Sequence, residues 1–137
     1  MSNTLNRLVA GTGDRSEILI GFFTKWGDGG VDFLPIGHLY KTQVRSLARH
    51  LGLPDRIAFK PSSPQLWRGQ RATDEIPADY ERLDLAMHYV FDKGLTPQEA
   101  ALRAKMGLHD VTKMIEMNRR SAHKRALPPL IGALRTT

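Results

Sequence analysis

The sequence has no cysteine in its 137 residues. Disulfides, thiolate catalysis and thiolate–metal sites are therefore excluded. It also lacks an apolar run long enough to span a bilayer. The N-terminal MSNTLNRLVAGTG has no basic segment leading into an apolar stretch, so no signal peptide is read there and the cytoplasm is the expected compartment. Histidines are few and scattered. His38, His50, His88, His109 and His123 include no i,i+4 pair, and they give neither a metal-ligand spacing nor a Ser-His-Asp arrangement.

Acidic charge is scarce as well. Fourteen Asp and Glu stand against twenty Lys and Arg, leaving a net charge of +6. A basic surplus suits anionic partners, either nucleotides or nucleic acid. It is concentrated in residues 113–137, where six Lys or Arg face one Glu, a surplus of five. With 41% hydrophobic residues, a chain of this length fits one domain and can bury a core.

What is present is organised around residues 11–41, GTGDRSEILIGFFTKWGDGGVDFLPIGHLYK. The apolar run before Gly11, within TLNRLVAG, predicts a short buried strand closed by Gly11-Thr12-Gly13. Asp14 then stands at an N-cap position with Glu17 three residues on, a capping box opening a helix through Phe23. A helix N-terminus after a strand and turn is a natural anion site. Residues 31–36 read as extended, limited by Pro35 to an edge. The clearest helix covers residues 40–51, with Val44, Leu47, Ala48 and Leu51 on one stripe and Gly52 as its stop. Residues 57–59 predict a second buried strand. Residues 60–78 show no periodicity, which predicts a lid, a binding loop or a disordered segment, and Trp67 within it, expected to dock, argues against simple disorder. The rest, residues 79–125, is helical. Tyr80, Leu83, Met87, Val90 and Phe91 form a stripe ending at Gly94. Thr96 to Glu99 is a capping box whose helix should end at Gly107, and Asp110 should cap a last helix to about Arg120. Two strands with one crossover helix cannot make a stable parallel sheet, so the N-terminal part reads as a piece of a larger α/β sheet.

The candidate site residues each admit two readings. Glu17 serves either as the cap partner or as a carboxylate for Mg²⁺ beside a phosphate. Lys41 lies in the first turn of a strong helix, where a cation is disfavoured by about 0.3–1 kcal/mol unless an anion sits nearby. It is therefore either a solvated lysine or an anion contact. Lys25 and Asp32 flank the glycine-rich turn, and Thr12 and Ser63 are hydroxyls at a strand end and in the long loop. His123-Lys124-Arg125 either complements the end of the preceding helix or grips an anion. Residues 94–125, two helices with a basic end, also outline a helix-turn-helix, with Arg119, Arg120, Lys124 and Arg125 as its cations.

GTGDRSE, GFFTKWGDGGVDFLPIGHLYKTQVR, LARHLGLP, KPSSPQLWRGQ and SAHKR, in this order, resemble the C-terminal half of the NAD synthetases. The resemblance implies a partial domain over residues 1–137 of the adenine nucleotide alpha-hydrolase-like, Rossmann-like α/β fold, mostly helical here with a few short parallel strands. It implies ATP-dependent amidation of deamido-NAD through an adenylated intermediate, with Mg²⁺ and with ammonia, free or derived from glutamine. By position in the motifs, Thr12, Lys41 and Ser63 correspond to ATP contacts and Glu17 to a Mg²⁺ ligand. Lys25, Asp32, His123 and Lys124 correspond to deamido-NAD contacts, and no residue here is assigned a catalytic role. The family implies a homodimer and a mobile, nucleotide-covering loop at residues 60–78.

One departure is large. The family's upstream SGG-x-DS motif, which holds the ATP pyrophosphate, occurs nowhere in this sequence. The expectation is an incomplete synthetase, inactive alone and complemented by the missing half. The alternatives are a non-catalytic dimerisation or assembly subunit and, less favoured, a nucleic-acid binder.

Overall fold

The computed structural model describes residues 1–63 and 68–129. Trp67, expected to dock, lies outside them. Seven α-helices occur among the described residues: α1 (Ser2–Leu5), α2 (Arg15–Ile20), α3 (Lys41–His50), α4 (Asp55–Ala58), α5 (Tyr80–Met87), α6 (Pro97–Ala104) and α7 (Leu108–Arg120). A π-turn, His88–Asp92, extends α5 toward Gly94, and 3₁₀ turns cover Ala72–Asp74 and Ala122–Arg125.

Helix starts follow the capping chemistry. The Asp14–Glu17 box opens α2, and the Thr96–Glu99 box with Pro97 opens α6. Gly52, at φ +78°, ends α3 where the sequence placed the stop. Three boundaries differ. Gly21 adopts φ +71° and ends α2 at Ile20, short of the expected Phe23. Lys105 adopts φ +52° and ends α6 early, and Gly107 instead precedes α7. Asp110 consequently falls inside the first turn of α7, where it complements the helix dipole and is not the cap.

Helix α6 packs on α5 and on α7, and both α5 and α7 pack on α2. Leu83, Met87, Val111 and Met114 are fully buried, joined by Ile20 at 2% exposure. Ala100, Ala101 and Ala104 line the inner face of α6, and their small side chains let the neighbouring helices approach. Each large side chain buried here contributes about 1.5–3 kcal/mol.

The expected strands are largely absent. Residues 4–11 begin in α1, and the only pairing among the described residues is an isolated parallel bridge between Ala10 and Phe33. Asp32 pins it, its Oδ2 accepting the Val9 N–H at 2.7 Å. Residues 57–59 fall at the end of α4 instead of in a strand. Pro54 and Asp55 start that helical turn, which the apolar triplet concealed. A pair of segments with no further neighbour cannot sustain a ladder. Leu8, Val9, Phe33 and Leu34 accordingly remain exposed around the bridge.

Candidate functional site

The site is built where α2 and α3 begin. In the capping box Asp14 Oδ1 accepts the Glu17 N–H at 3.0 Å, and Glu17 Oε2 accepts the Asp14 N–H at 3.2 Å. The remaining oxygens meet Lys41, whose Nζ lies 2.5 Å from Asp14 Oδ2 and 2.6 Å from Glu17 Oε1. Each carboxylate thus divides its two oxygens between cap and lysine. The anion that Lys41 needed at its helix start is supplied by the protein.

Burial and the Asp14 charge raise Glu17 above the usual carboxylate range, against the pull of Lys41. Burial alone would lower Lys41, but Asp14 and Glu17 outweigh it and raise it, so the ammonium stays charged. Two carboxylates therefore share one ammonium at this wall.

The N–H groups of α3 are satisfied from two other helices. Ser16 Oγ accepts the Lys41 N–H at 2.8 Å. Asp84 Oδ2 accepts both the Thr42 N–H and the Thr42 hydroxyl at 2.8 Å, and its Oδ1 accepts the Ser16 hydroxyl at 2.6 Å. Asp84 is 4% exposed, and its burial raises its pKa while these bonds oppose the rise. Sequence reasoning misses this residue, although an aspartate beside Leu83 on a core helix is the available signal.

Tyr80 lies one turn before Asp84. Its ring faces Lys41 Nζ at 5.5 Å and Arg45 at 5.7 Å. Its buried hydroxyl has no hydrogen-bond partner among the described residues, and burial pushes its pKa up. An orphaned buried hydroxyl costs about 1–3 kcal/mol. Tyr80→Phe keeps the ring and removes the orphan, so chemical denaturation should show unchanged or increased stability. A marked loss would mean that the hydroxyl has a partner.

The other end of α2 is held by the basic segment after α7. Lys124 Nζ donates to Gly21 O at 2.8 Å and Phe23 O at 2.7 Å. Arg125 Nη1 donates to Ile18 O at 3.0 Å, and Asn118 Nδ2 to Leu19 O at 2.6 Å. The cations complement the C-terminus of α2 as well as that of their own helix, where Arg125 Nη2 reaches Asn118 O at 2.5 Å. Arg119 and Arg120 both pair with Glu116. With Lys124 and Arg125 bound to backbone carbonyls and Arg119 and Arg120 paired with Glu116, the cations that the helix-turn-helix reading required already have partners within the chain.

Between these clamps lies a cavity of about 720 Å³. Glu17, Lys41, Ser63 and Lys124 are on its wall, with Asp28 and Glu75, which nothing in the sequence singles out. Ser63 Oγ donates to Gln70 O at 2.5 Å. A smaller cavity of about 230 Å³ shares Glu17, Asp28 and Lys124 and is lined mainly by Ile18, Phe23 and Leu34. Thr12, Lys25, Asp32 and His123 are not on the wall of the larger cavity. Lys25 and His123 do meet, Lys25 Nζ donating to His123 O at 2.7 Å and Ala126 O at 3.0 Å. Thr12 is exposed beside the Ala10–Phe33 bridge that Asp32 holds.

Among the described residues no three His, Asp or Glu side chains converge into a metal cage. Magnesium seldom needs one, since it keeps several waters and takes one or two carboxylates plus phosphate oxygens. Glu17 is on the cavity wall with Oε1 against Lys41 Nζ and Oε2 against the Asp14 N–H, so it would join that minimal donor set by giving up one of these partners.

The family model for NAD synthase matches residues 1–128. The NH(3)-dependent NAD(+) synthetase of Hyperthermus butylicus is 59% identical over 128 residues, which are 93% of this chain and 46% of that protein. The Staphylothermus marinus protein of the same name is 51% identical over 129 residues, 94% of this chain and 47% of that protein. Among solved structures, an NMN synthetase from Francisella tularensis superposes with a TM-score of 0.76 at 32% identity, over 94% of this chain and 48% of that one. An NH3-dependent NAD synthetase from Campylobacter jejuni, at 24% identity and TM-score 0.70, covers 96% of this chain and 48% of its own and bears on the fold alone. The chain spans about half the length of the relatives it matches.

Proposed function

Because the chain belongs to the NAD synthase family, we propose that it forms the ATP- and deamido-NAD-binding portion of a ligase that amidates deamido-NAD to NAD. The observation that carries this reading is the convergence of Glu17, Lys41, Ser63 and Lys124, from distant parts of the chain, on one cavity. Adenylation of the nicotinate carboxylate develops charge on phosphate oxygens, and fixed cations in a partly desolvated cleft stabilise such charge. Lys41 is such a cation, held charged by its carboxylate partners. It takes the ATP phosphates, and Ser63 on the same wall and Thr12 outside it are further ATP contacts.

Glu17 would hold Mg²⁺, which supplies charge neutralisation at the phosphates. Lys124 and His123 face deamido-NAD, with Lys25 beside His123 and Asp32 at the bridge. Ammonia, free or from glutamine, is the nitrogen donor. The pyrophosphate-holding SGG-x-DS motif comes from residues outside these 137, whether the functional unit is a homodimer or a complemented pair.

The test is NAD formation from deamido-NAD, ATP and ammonia. No turnover is expected from residues 1–137 alone. Turnover should appear when the upstream half of a close relative is supplied, and Glu17→Gln in the complemented enzyme should lower it at least tenfold. Robust turnover by the chain alone would overturn the incompleteness, and an unaffected Glu17→Gln enzyme would overturn the assigned site.

A further inference from the structure

Helix α5 contributes nothing to the wall of the cavity, yet two of its side chains one turn apart reach Lys41 from different directions. Asp84, buried, holds the backbone. It accepts from Thr42 directly, and it fixes the Ser16 hydroxyl whose oxygen accepts the Lys41 N–H. Tyr80, 2% exposed, lies against the side chain, its ring 5.5 Å from Nζ. A lysine carries four rotatable carbons, and without such restraints its ammonium would sample many positions. The carboxylates of Asp14 and Glu17 are a further restraint. They lie on α2, however, and constrain Nζ usefully only if α3 keeps a fixed register against α2. Ser16, bridging Asp84 to the first N–H of α3, sets that register.

Resting on the nucleotide reading above, we propose that Asp84, acting through Ser16 and Thr42 and with the Tyr80 ring as a platform, is a positioning residue for Lys41. It does not touch nucleotide. It fixes where the Lys41 ammonium stands at the cavity wall, and so sets affinity for the phosphates of Mg·ATP. Groups held within a fraction of an ångström by a supporting shell work well, and those left loose do not.

The experiment uses the full chain labelled with ¹⁵N-lysine. The Lys41 ammonium, held by two carboxylates, should give a slowly exchanging NMR signal at low temperature. Mg·ATP affinity is measured in parallel, by titration of the chain complemented with the upstream half. Asp84→Ala should abolish the slow signal and weaken Mg·ATP about tenfold. Asp84→Asn, which can still accept from Thr42, should fall between it and the parent, and Tyr80→Phe should match the parent in both readouts.

Leu83→Ala is the stability control. It empties a core position beside Asp84 and should leave both readouts in place. Should Asp84→Ala fail to fold, Ser16→Ala carries the same test, because it removes the acceptor of the Lys41 N–H. An unchanged ammonium signal in Asp84→Ala or Ser16→Ala would overturn the proposal, as would an equal change in Leu83→Ala. If the parent complex binds no Mg·ATP, the nucleotide reading fails, and the ammonium signal still decides whether Asp84 positions Lys41.

Discussion

Gly21→Ala is expected to lower the unfolding free energy by about 2–5 kcal/mol, combining left-handed strain of about 1–2 kcal/mol with overpacking of about 1–3 kcal/mol. Gly21 ends α2 at φ +71°, and a Cβ built there would lie 2.0 Å from Ser121 Cβ and 2.4 Å from Ser121 Oγ. Ser121 cannot easily withdraw. It is 7% exposed, its hydroxyl donates to Met117 O at 2.7 Å, and the same oxygen accepts from Arg125 at 2.8 Å. Gly52 provides the comparison, with φ +78° and nothing within 4 Å of where a Cβ would stand. Gly52→Ala should therefore cost only the strain, about 1–2 kcal/mol. Urea denaturation of both variants checks this, and adding Ser121→Gly to Gly21→Ala should recover the overpacking part. Equal losses at the two glycines would refute the role given to Ser121.

Lys41→Met should be at least as damaging. It keeps the length of the side chain and removes the charge, leaving Asp14 at 1% exposure with no cation against it. Lys41 itself is only 16% exposed, so the pair is not a screened surface contact. Stranding one partner of a buried pair costs about 3–5 kcal/mol. Adding Asp14→Asn should restore part of the loss, and a fully additive double variant would show that the two residues do not interact.

The same cluster gives the stability a pH dependence. Glu17 has a raised pKa in the fold. The folded chain therefore binds that proton more tightly than the unfolded chain does, and the Glu17 contribution declines as pH rises from about 4.5 through the raised value. Lys41 opposes the rise, so its removal should steepen and extend the decline. Unfolding free energies for the parent and Lys41→Met, taken between about pH 5 and pH 7, should diverge as pH increases. A gap that narrowed toward neutrality would contradict the charge arrangement.

Much of this molecule is legible in the order of its residues. Asp14, Glu17, Thr96, Pro97 and Gly52 announce their helix ends because capping is local chemistry, decided within four residues. The motif order from Gly11 to Arg125 carries the family. Partners supplied from distant segments are not legible. Nothing near Lys41 in the sequence indicates that Asp14 and Glu17 pair with it, or that Asp84 caps the helix it opens. The basic tail suggests a ligand or a solvated end, whereas Arg125 binds a carbonyl of α2 and Lys124 the carbonyls just past its end. The strands expected at residues 4–11 and 57–59 fail for a related reason. A short apolar run states that a segment will be covered, and leaves its backbone geometry to whatever neighbour is present.

The long reach of Arg125 has a consequence for biosynthesis. Its partner Ile18 was made 107 residues earlier. At roughly 5–20 residues per second, the end of α2 emerges some 5–20 s before the guanidinium that will hold it exists. During that interval the carbonyls at one edge of the cleft have only water to satisfy them. A ribosome-stalled chain ending before residue 118 should therefore be open to protease near Gly21, and one stalled well past residue 126 should be closed.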